Sequence, residues 1–233
     1  MKLGILETGK MAPPLEDVHG DFPAMFRNWL TPHMPDVEFT TYNVVDGEWP
    51  NGPDACDGWL ITGSRFGVYD TEPFIEPLKQ FIRDCADAGK PQLGICFGHQ
   101  IVAEAMGGRA VKSDKGWGTG IQHYSITING AATEWPLLVS HQDQVTEVPP
   151  TAEVIGGTEF CPFGVLAYDA PILTAQFHPE ITPGLSADII RMRSGTAFPE
   201  ETAAAALDSL ATPPANDAAG AWMGAWLMER MAD

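Results

Sequence analysis

The sequence is short of positive charge. Six lysines and seven arginines stand against 31 acidic residues, leaving a net charge of -18. Such a field repels phosphate backbones and anionic lipid headgroups, so neither nucleic acid nor a membrane surface is expected as a partner. Long hydrophobic runs are missing too. The first apolar stretch reaches Glu7 too soon for a signal-peptide core or a spanning helix, and no later run qualifies as either. Cysteine is sparse. Cys56, Cys85, Cys96 and Cys161 show no close pairing pattern, which reads as reduced thiols in a cytoplasmic protein. There is no Cys-x-x-Cys and no His-Glu-x-x-His, so no metal site is expected. The glycine-bearing segment Thr62–Gly67 lacks both the Gly-Lys-Ser/Thr ending of a P-loop and the G-x-G-x-x-G spacing of a dinucleotide turn. No cofactor is expected.

What is present is enough to bury a core: 233 residues, 44% of them apolar, with no internal repeat. Lys2–Leu6, Phe39–Val45 and Trp59–Thr62 read as strands closed by turn residues. Phe22, Met25, Phe26, Trp29 and Leu30 recur at helical spacing, and Pro32 stops that helix. Pro73 sits as a first helical residue before the apolar face Phe74, Ile75, Leu78, Phe81, Ile82 and Cys85, with Gly89 and Pro91 marking the end. Leu93–Ile95 then forms a strand, and a helical period restarts at Ile101. From Ile121 to Gln176 short apolar runs separated by Gly, Pro, Asn and Asp read mostly as strand.

This order predicts a three-layer α/β fold, a mostly parallel central sheet with antiparallel strands at one edge. Residues 1–195 form the expected catalytic domain, and 196–233 an Ala-rich helical tail. Trp222, Trp226, Leu227 and Met231 recur at helical spacing in that tail. Two readings stand for them: packing back on the domain, or a surface for a homo-oligomer.

Cys96 lies where a strand gives way to a helix, inside Gly94-Ile-Cys-Phe-Gly-His-Gln100. Glycines on both sides allow a sharp turn that exposes the sulfur, and the N–H groups of the following helix favour a thiolate. A lone cysteine is otherwise a small buried hydrophobe, as Cys85 is expected to be. Six histidines compete to be its base, and His178 is the best placed. It follows the strand Ile172–Phe177, Pro179 ends ladder pairing, and Glu180 comes two residues later. Residues two apart in extended chain point the same way, so Glu180 can orient the imidazole of His178. Backbone N–H groups of the glycine-bearing segment Thr62–Gly67, at a neighbouring strand end, could form an oxyanion hole facing the thiol.

With Gly-Ile-Cys96-Phe-Gly-His-Gln, Gln-Phe-His178-Pro-Glu180 and the earlier Ile61-Thr-Gly-Ser64 in the right order, the sequence resembles the class I (triad) glutamine amidotransferase family over roughly residues 1–190. It looks most like the stand-alone members similar to the glutaminase part of GMP synthase and to γ-glutamyl peptidases. The resemblance implies a flavodoxin-like fold and hydrolysis of a γ-glutamyl amide through a γ-glutamyl thioester. In it Cys96 is the nucleophile, His178 shuttles the proton and Glu180 orients His178. It further implies that the N–H groups of Phe97 and of Gly63 or Ser64 hold the oxyanion. Gln100 and the backbone around Gln142 and Asp143 would hold the α-amino and α-carboxylate groups, while His99 and His141 are structural. The related synthase motif has two glycines and a proline where this chain has Gly63-Ser64-Arg65. No acceptor-binding motif is attached. Either a separate synthase subunit accepts ammonia, or the enzyme cleaves a γ-glutamyl amide or peptide outright; a non-catalytic partner-binding module is the remaining alternative.

Overall fold

Along Lys2–Leu6 (β1) the side chains alternate, sending Leu3 and Ile5 to one face and Leu6 to the other. The same division runs through Gly58–Ile61 (β3), where Leu60 opposes Trp59 and Ile61. In Gln92–Ile95 (β4), Leu93 and Ile95 share the first face. Strands buried on both faces need a helical layer on each side. In the computed structural model, which describes residues 1–232, they have one. Phe22–Leu30 (α2) and Asn216–Met231 (α7) cover the Leu3 face with Phe26, Trp29, Met223 and Leu227. Ile75–Asp87 (α3) and Phe97–Ala105 (α4) cover the Leu6 face with Leu78, Phe81, Ile82, Ile101 and Val102. Full burial of one such side chain contributes about 1.5–3 kcal/mol.

The nine-stranded sheet adds Glu38–Tyr42 (β2), Gly118–Ile128 (β6), Ala131–His141 (β7), Ala152–Gly157 (β9), Val165–Tyr168 (β10) and Ile172–Ala175 (β11), in the order β2-β1-β3-β4-β11-β10-β9-β6-β7. The first five strands are parallel. Every pairing from β11 to β10 onward is antiparallel. The fold is therefore the three-layer α/β arrangement with antiparallel strands at one edge. Its parallel half places the carboxyl ends of β1, β3, β4 and β11 along one side: Leu6 pairs with Ile61, Ile61 with Gly94, and Ile95 with Ala175. In open α/β sheets ligands bind outside those ends.

Several elements differ from the sequence expectation. The strand expected over Phe39–Val45 stops at Tyr42, because Val44–Asp46 coils into a 3-10 turn closed by Gly47 at φ +88°. α3 starts at Ile75, with Pro73 and Phe74 in the turn before it. α4 starts at Phe97, four residues before its apolar period. β6 and β7 pair over eleven residues each, joined by Asn129-Gly130, both at positive φ as a type I′ hairpin turn requires. Pro13–His19 (α1) and the small sheet of Arg109–Lys112 (β5) and Asp143–Glu147 (β8) had no clear signal. Beyond Pro183–Arg193 (α5), Glu200–Ser209 (α6) lies on β6, where the N–H of Ile121 donates to Ser209 Oγ at 2.9 Å. The indole of Trp222 meets Trp135 edge to face at 5.8 Å. Asp233 lies outside the described residues.

Candidate active site

β4 delivers Cys96 to the carboxyl edge in an unusual conformation. Its φ is +55° and ψ -103°, a region that side chains avoid, held by the hydrogen bond from its N–H to Ala175 O at 2.8 Å. Two glycines make this turn sterically feasible. A methyl group on Gly94 would lie 2.6 Å from Gly98 O, and one on Gly98 only 2.3 Å from Ile61 O. Tight packing of α4 on β3 and β4 thus excludes any side chain at either position. Cys96 sits at the N-cap, so the first N–H of α4, on Phe97, has no acceptor within its helix.

β11 delivers His178 to the same edge. The strand ends at Ala175, two residues before the expected end, and the N–H of His178 donates to Leu138 O at 2.7 Å. His178 Nδ1 lies 2.7 Å from Glu180 Oε1, and the Glu180 side chain is fully buried. With the carboxylate accepting from Nδ1–H, Nε2 is the nitrogen left for Cys96. Burial opposes a charged ring at His178. The charges of Cys96 and Glu180, with hydrogen bonds to both, outweigh it and hold the imidazole pKa well above its ordinary value.

Gly63 packs between them. A methyl group there would come within 3.0 Å of His178 Cε1 and 3.7 Å of Cys96 Cβ. Its peptide is fixed from β1: Thr8 Oγ1 is 3.1 Å from Gly63 O, the N–H of Thr8 donates to Thr62 Oγ1 at 3.0 Å, and Ser64 Oγ donates to Thr8 O at 2.7 Å. Among the described residues, neither Gly63 nor Ser64 donates its N–H to another protein atom. Both donors are left without a protein partner, in the segment whose Gly63 packs against Cys96 and His178.

Gln100, Gln142 and Asp143 line the same cleft, of about 1070 Å³, as Cys96, His178, Gly63 and Ser64. Phe97 is buried beneath it, its ring against Phe74. Gln100 is held by its amide nitrogen, which donates to Asp143 O at 2.9 Å and Gln176 Oε1 at 3.0 Å. His99 and His141 are buried and neutral. Burial pushes their pKa values down to about 3 and about 4, and their Nδ1 atoms meet Thr174 Oγ1 at 2.8 Å and Asp143 O at 3.1 Å. Neither can take up a proton near neutrality.

Sequence reasoning missed several lining residues. Tyr69 reaches Asp143. Its phenol is pushed up to about 12 by burial and then by that carboxylate, while burial pushes Asp143 up in turn. Gln176, adjacent to the motif around His178, anchors Gln100. Lys10, bound to Glu7 at 3.0 Å, and Arg193 at the end of α5 also line the cleft. Nothing in the sequence signals Arg193, because the tertiary return of α5 alone brings it there.

An imidazole between a thiol and a carboxylate can take up and return one proton, and unpaired N–H groups beside the thiol can receive an oxyanion. Among the described residues no group of three His, Cys, Asp or Glu side chains is arranged to hold a metal. None of the described helices is long and apolar enough to cross a membrane.

The model of the glutamine amidotransferase class-I family matches residues 38–193. A glutamine amidotransferase-like protein of Schizosaccharomyces pombe is 31% identical over 234 residues, covering 92% of this chain and 94% of that one. γ-Glutamyl peptidase 2 of Arabidopsis thaliana is 28% identical over 174 residues, 70% of each chain. A crystal structure of a glutamine amidotransferase from Methylobacillus flagellatus superposes on the whole chain and 93% of its own, with a TM-score of 0.76 at 19% identity, a likeness of fold. The chain belongs to the class-I glutamine amidotransferase family.

Proposed function

We propose that the protein hydrolyses γ-glutamyl amides through a thioester on Cys96. The observation that carries this reading is the row Cys96, His178, Glu180 packed around Gly63 at the carboxyl edge of the sheet. The sulfur attacks the γ-carbonyl carbon, and the oxyanion is received by the N–H groups of Phe97 and of Gly63 or Ser64, each typically worth about 3 kcal/mol. His178 gives its proton to the leaving nitrogen as the C–N bond breaks. Water then attacks the thioester, His178 takes its proton, and glutamate leaves as the thiolate is expelled. Glu180 keeps Nδ1 protonated throughout. Gln100 and the backbone around Gln142 and Asp143 hold the α-amino and α-carboxylate groups of the glutamyl half.

In this reading residues 1–195 are the catalytic unit and 196–233 a tail that braces it. The four free, buried cysteines favour a reducing, cytoplasmic setting. Cleavage of γ-glutamyl compounds by the chain itself is the first reading, supported by the likeness to a γ-glutamyl peptidase. Delivery of ammonia to a separate synthase subunit is the second, supported by membership of the amidotransferase family. The test is turnover of glutamine and of γ-glutamyl dipeptides, with products identified by mass. The wild-type protein is expected to release glutamate and the free amine. Equal turnover by Cys96→Ala, or none by the wild type, contradicts the proposal.

A further inference from the structure

Acidic residues outnumber basic ones by more than two to one in this chain, and most of its arginines sit against a carboxylate. Arg27, Arg109, Arg191 and Arg230 each have one within 4.0 Å. Arg193 does not. Among the described residues no carboxylate lies within 4 Å of the Arg193 guanidinium and its side chain donates no hydrogen bond to the protein; Arg65 shares this but is exposed, whereas Arg193 is part-buried. It lines the cleft that holds Cys96, so its five N–H donors are left for a ligand.

The group is also held in place. Its Cζ lies 5.6 Å from the Trp117 ring and 5.8 Å from the Phe198 ring, and these two rings meet edge to face at 5.0 Å. Its carbonyl accepts from Phe198 N at 3.0 Å and Thr196 Oγ1 at 2.9 Å. Burial pushes the guanidinium pKa down, and the charge on Cys96 is the one that opposes this. A part-buried cation with no acid beside it is costly unless it meets an anion during function.

The element that carries it bears on which half of the substrate holds that anion. The leaving amine must face His178, which supplies its proton. α5 begins three residues after Glu180 and carries Arg193 back to the cleft. Gln100 and Asp143 stand on α4 and β8, whereas Arg193 stands on α5 and packs on Trp117 just before β6. We propose that Arg193 binds a carboxylate on the amine half of the substrate, making γ-glutamyl amino acids or peptides better substrates than glutamine. This rests on the hydrolase reading and names its substrate class.

The test compares γ-glutamylglycine with γ-glutamylglycinamide, which has the same size without the charge. In calorimetry, Cys96→Ala protein should bind the glycine compound about 10- to 100-fold more tightly, and adding Arg193→Gln should abolish that gap. With Cys96 intact, Arg193→Gln should raise KM for γ-glutamylglycine by the same factor, with a much smaller change in kcat. Arg193→Lys should recover part of the loss. An equal loss on both compounds, no preference in Cys96→Ala, or a loss carried by Arg65→Gln instead would overturn the proposal. A binding preference that depends on Arg193, without turnover of either compound by the wild type, would uphold the subsite and overturn the hydrolase reading alone.

Discussion

The two halves of the large sheet bury similar side chains yet end very differently. In the parallel half each crossover returns the chain to the same starting side, so Glu7-Thr8, Gly63-Ser64, Cys96 and His178 all emerge along one edge. In the antiparallel half successive strands reverse, and polar residues at their ends scatter to both sides. Chemistry gathers where topology lines up the strand ends. The antiparallel half supplies walls: Leu138 O accepts from the N–H of His178, and the turn after β7 presents Gln142 and Asp143 to the cleft. The lesson is that the reactive residues are positioned by backbone geometry of the parallel half and shielded by the rest.

The largest effect should come from the edge itself. Cys96→Ala and His178→Asn are each expected to lower γ-glutamyl amide hydrolysis by at least about a thousandfold with the fold intact, checked by product release and circular dichroism. Loss of folding in both, or retained activity in either, would erase the contrast between the halves.

Glu180→Gln should lower kcat on the order of a hundredfold or more and shift its pH dependence. Glu180 raises the pKa of His178, so its removal lowers that pKa. The imidazolium that protonates the leaving amine is then lost at lower pH. The alkaline fall of kcat/KM should move toward neutrality, and an unmoved alkaline limb would contradict the role given to Glu180.

The glycines of the parallel half are tested through stability. Gly98→Ala puts a methyl 2.3 Å from Ile61 O and should cost about 2–3 kcal/mol, a fall in Tm of roughly 5–10 °C. Gly184→Ala in α5 would meet only Thr182 Oγ1 at 3.8 Å, and should be neutral or stabilising by up to about 1 kcal/mol. Thermal melts that rank these two the other way would show that the tight approach of α4 to β3 is not what fixes the turn. The smallest effect belongs to Cys85, on the buried face of α3 with its thiol pushed up by burial. Cys85→Ala should keep full activity and cost about 1 kcal/mol.

Much of the edge was legible in the chain because its backbone demands are written in residue type. Gly94 and Gly98 announce a turn that no larger residue could make, and Pro179 announces where the ladder ends. Asn129-Gly130 carried the same kind of signal for the long hairpin, although the apolar runs beside it suggested shorter strands. Other elements left little trace. α1 buries only Leu15, so it has no apolar face to detect. β5 and β8 are four and five residues long and mostly polar, their pairing a product of long-range contact. The start of α3 moved past Pro73 because a proline suited to a first helical turn also suits the turn before one. Arg193 could not be read as a cleft residue, since nothing local links it to Cys96.

Covalent trapping at the thiol asks whether Cys96 is the nucleophile. A diazoketone analogue of glutamine, followed by intact-mass and peptide mass spectrometry, should add one label per chain, at Cys96 alone, with activity lost in step and no label on Cys96→Ala. Labelling spread over Cys56, Cys85 and Cys161, or full activity in a protein labelled at Cys96, would contradict the account.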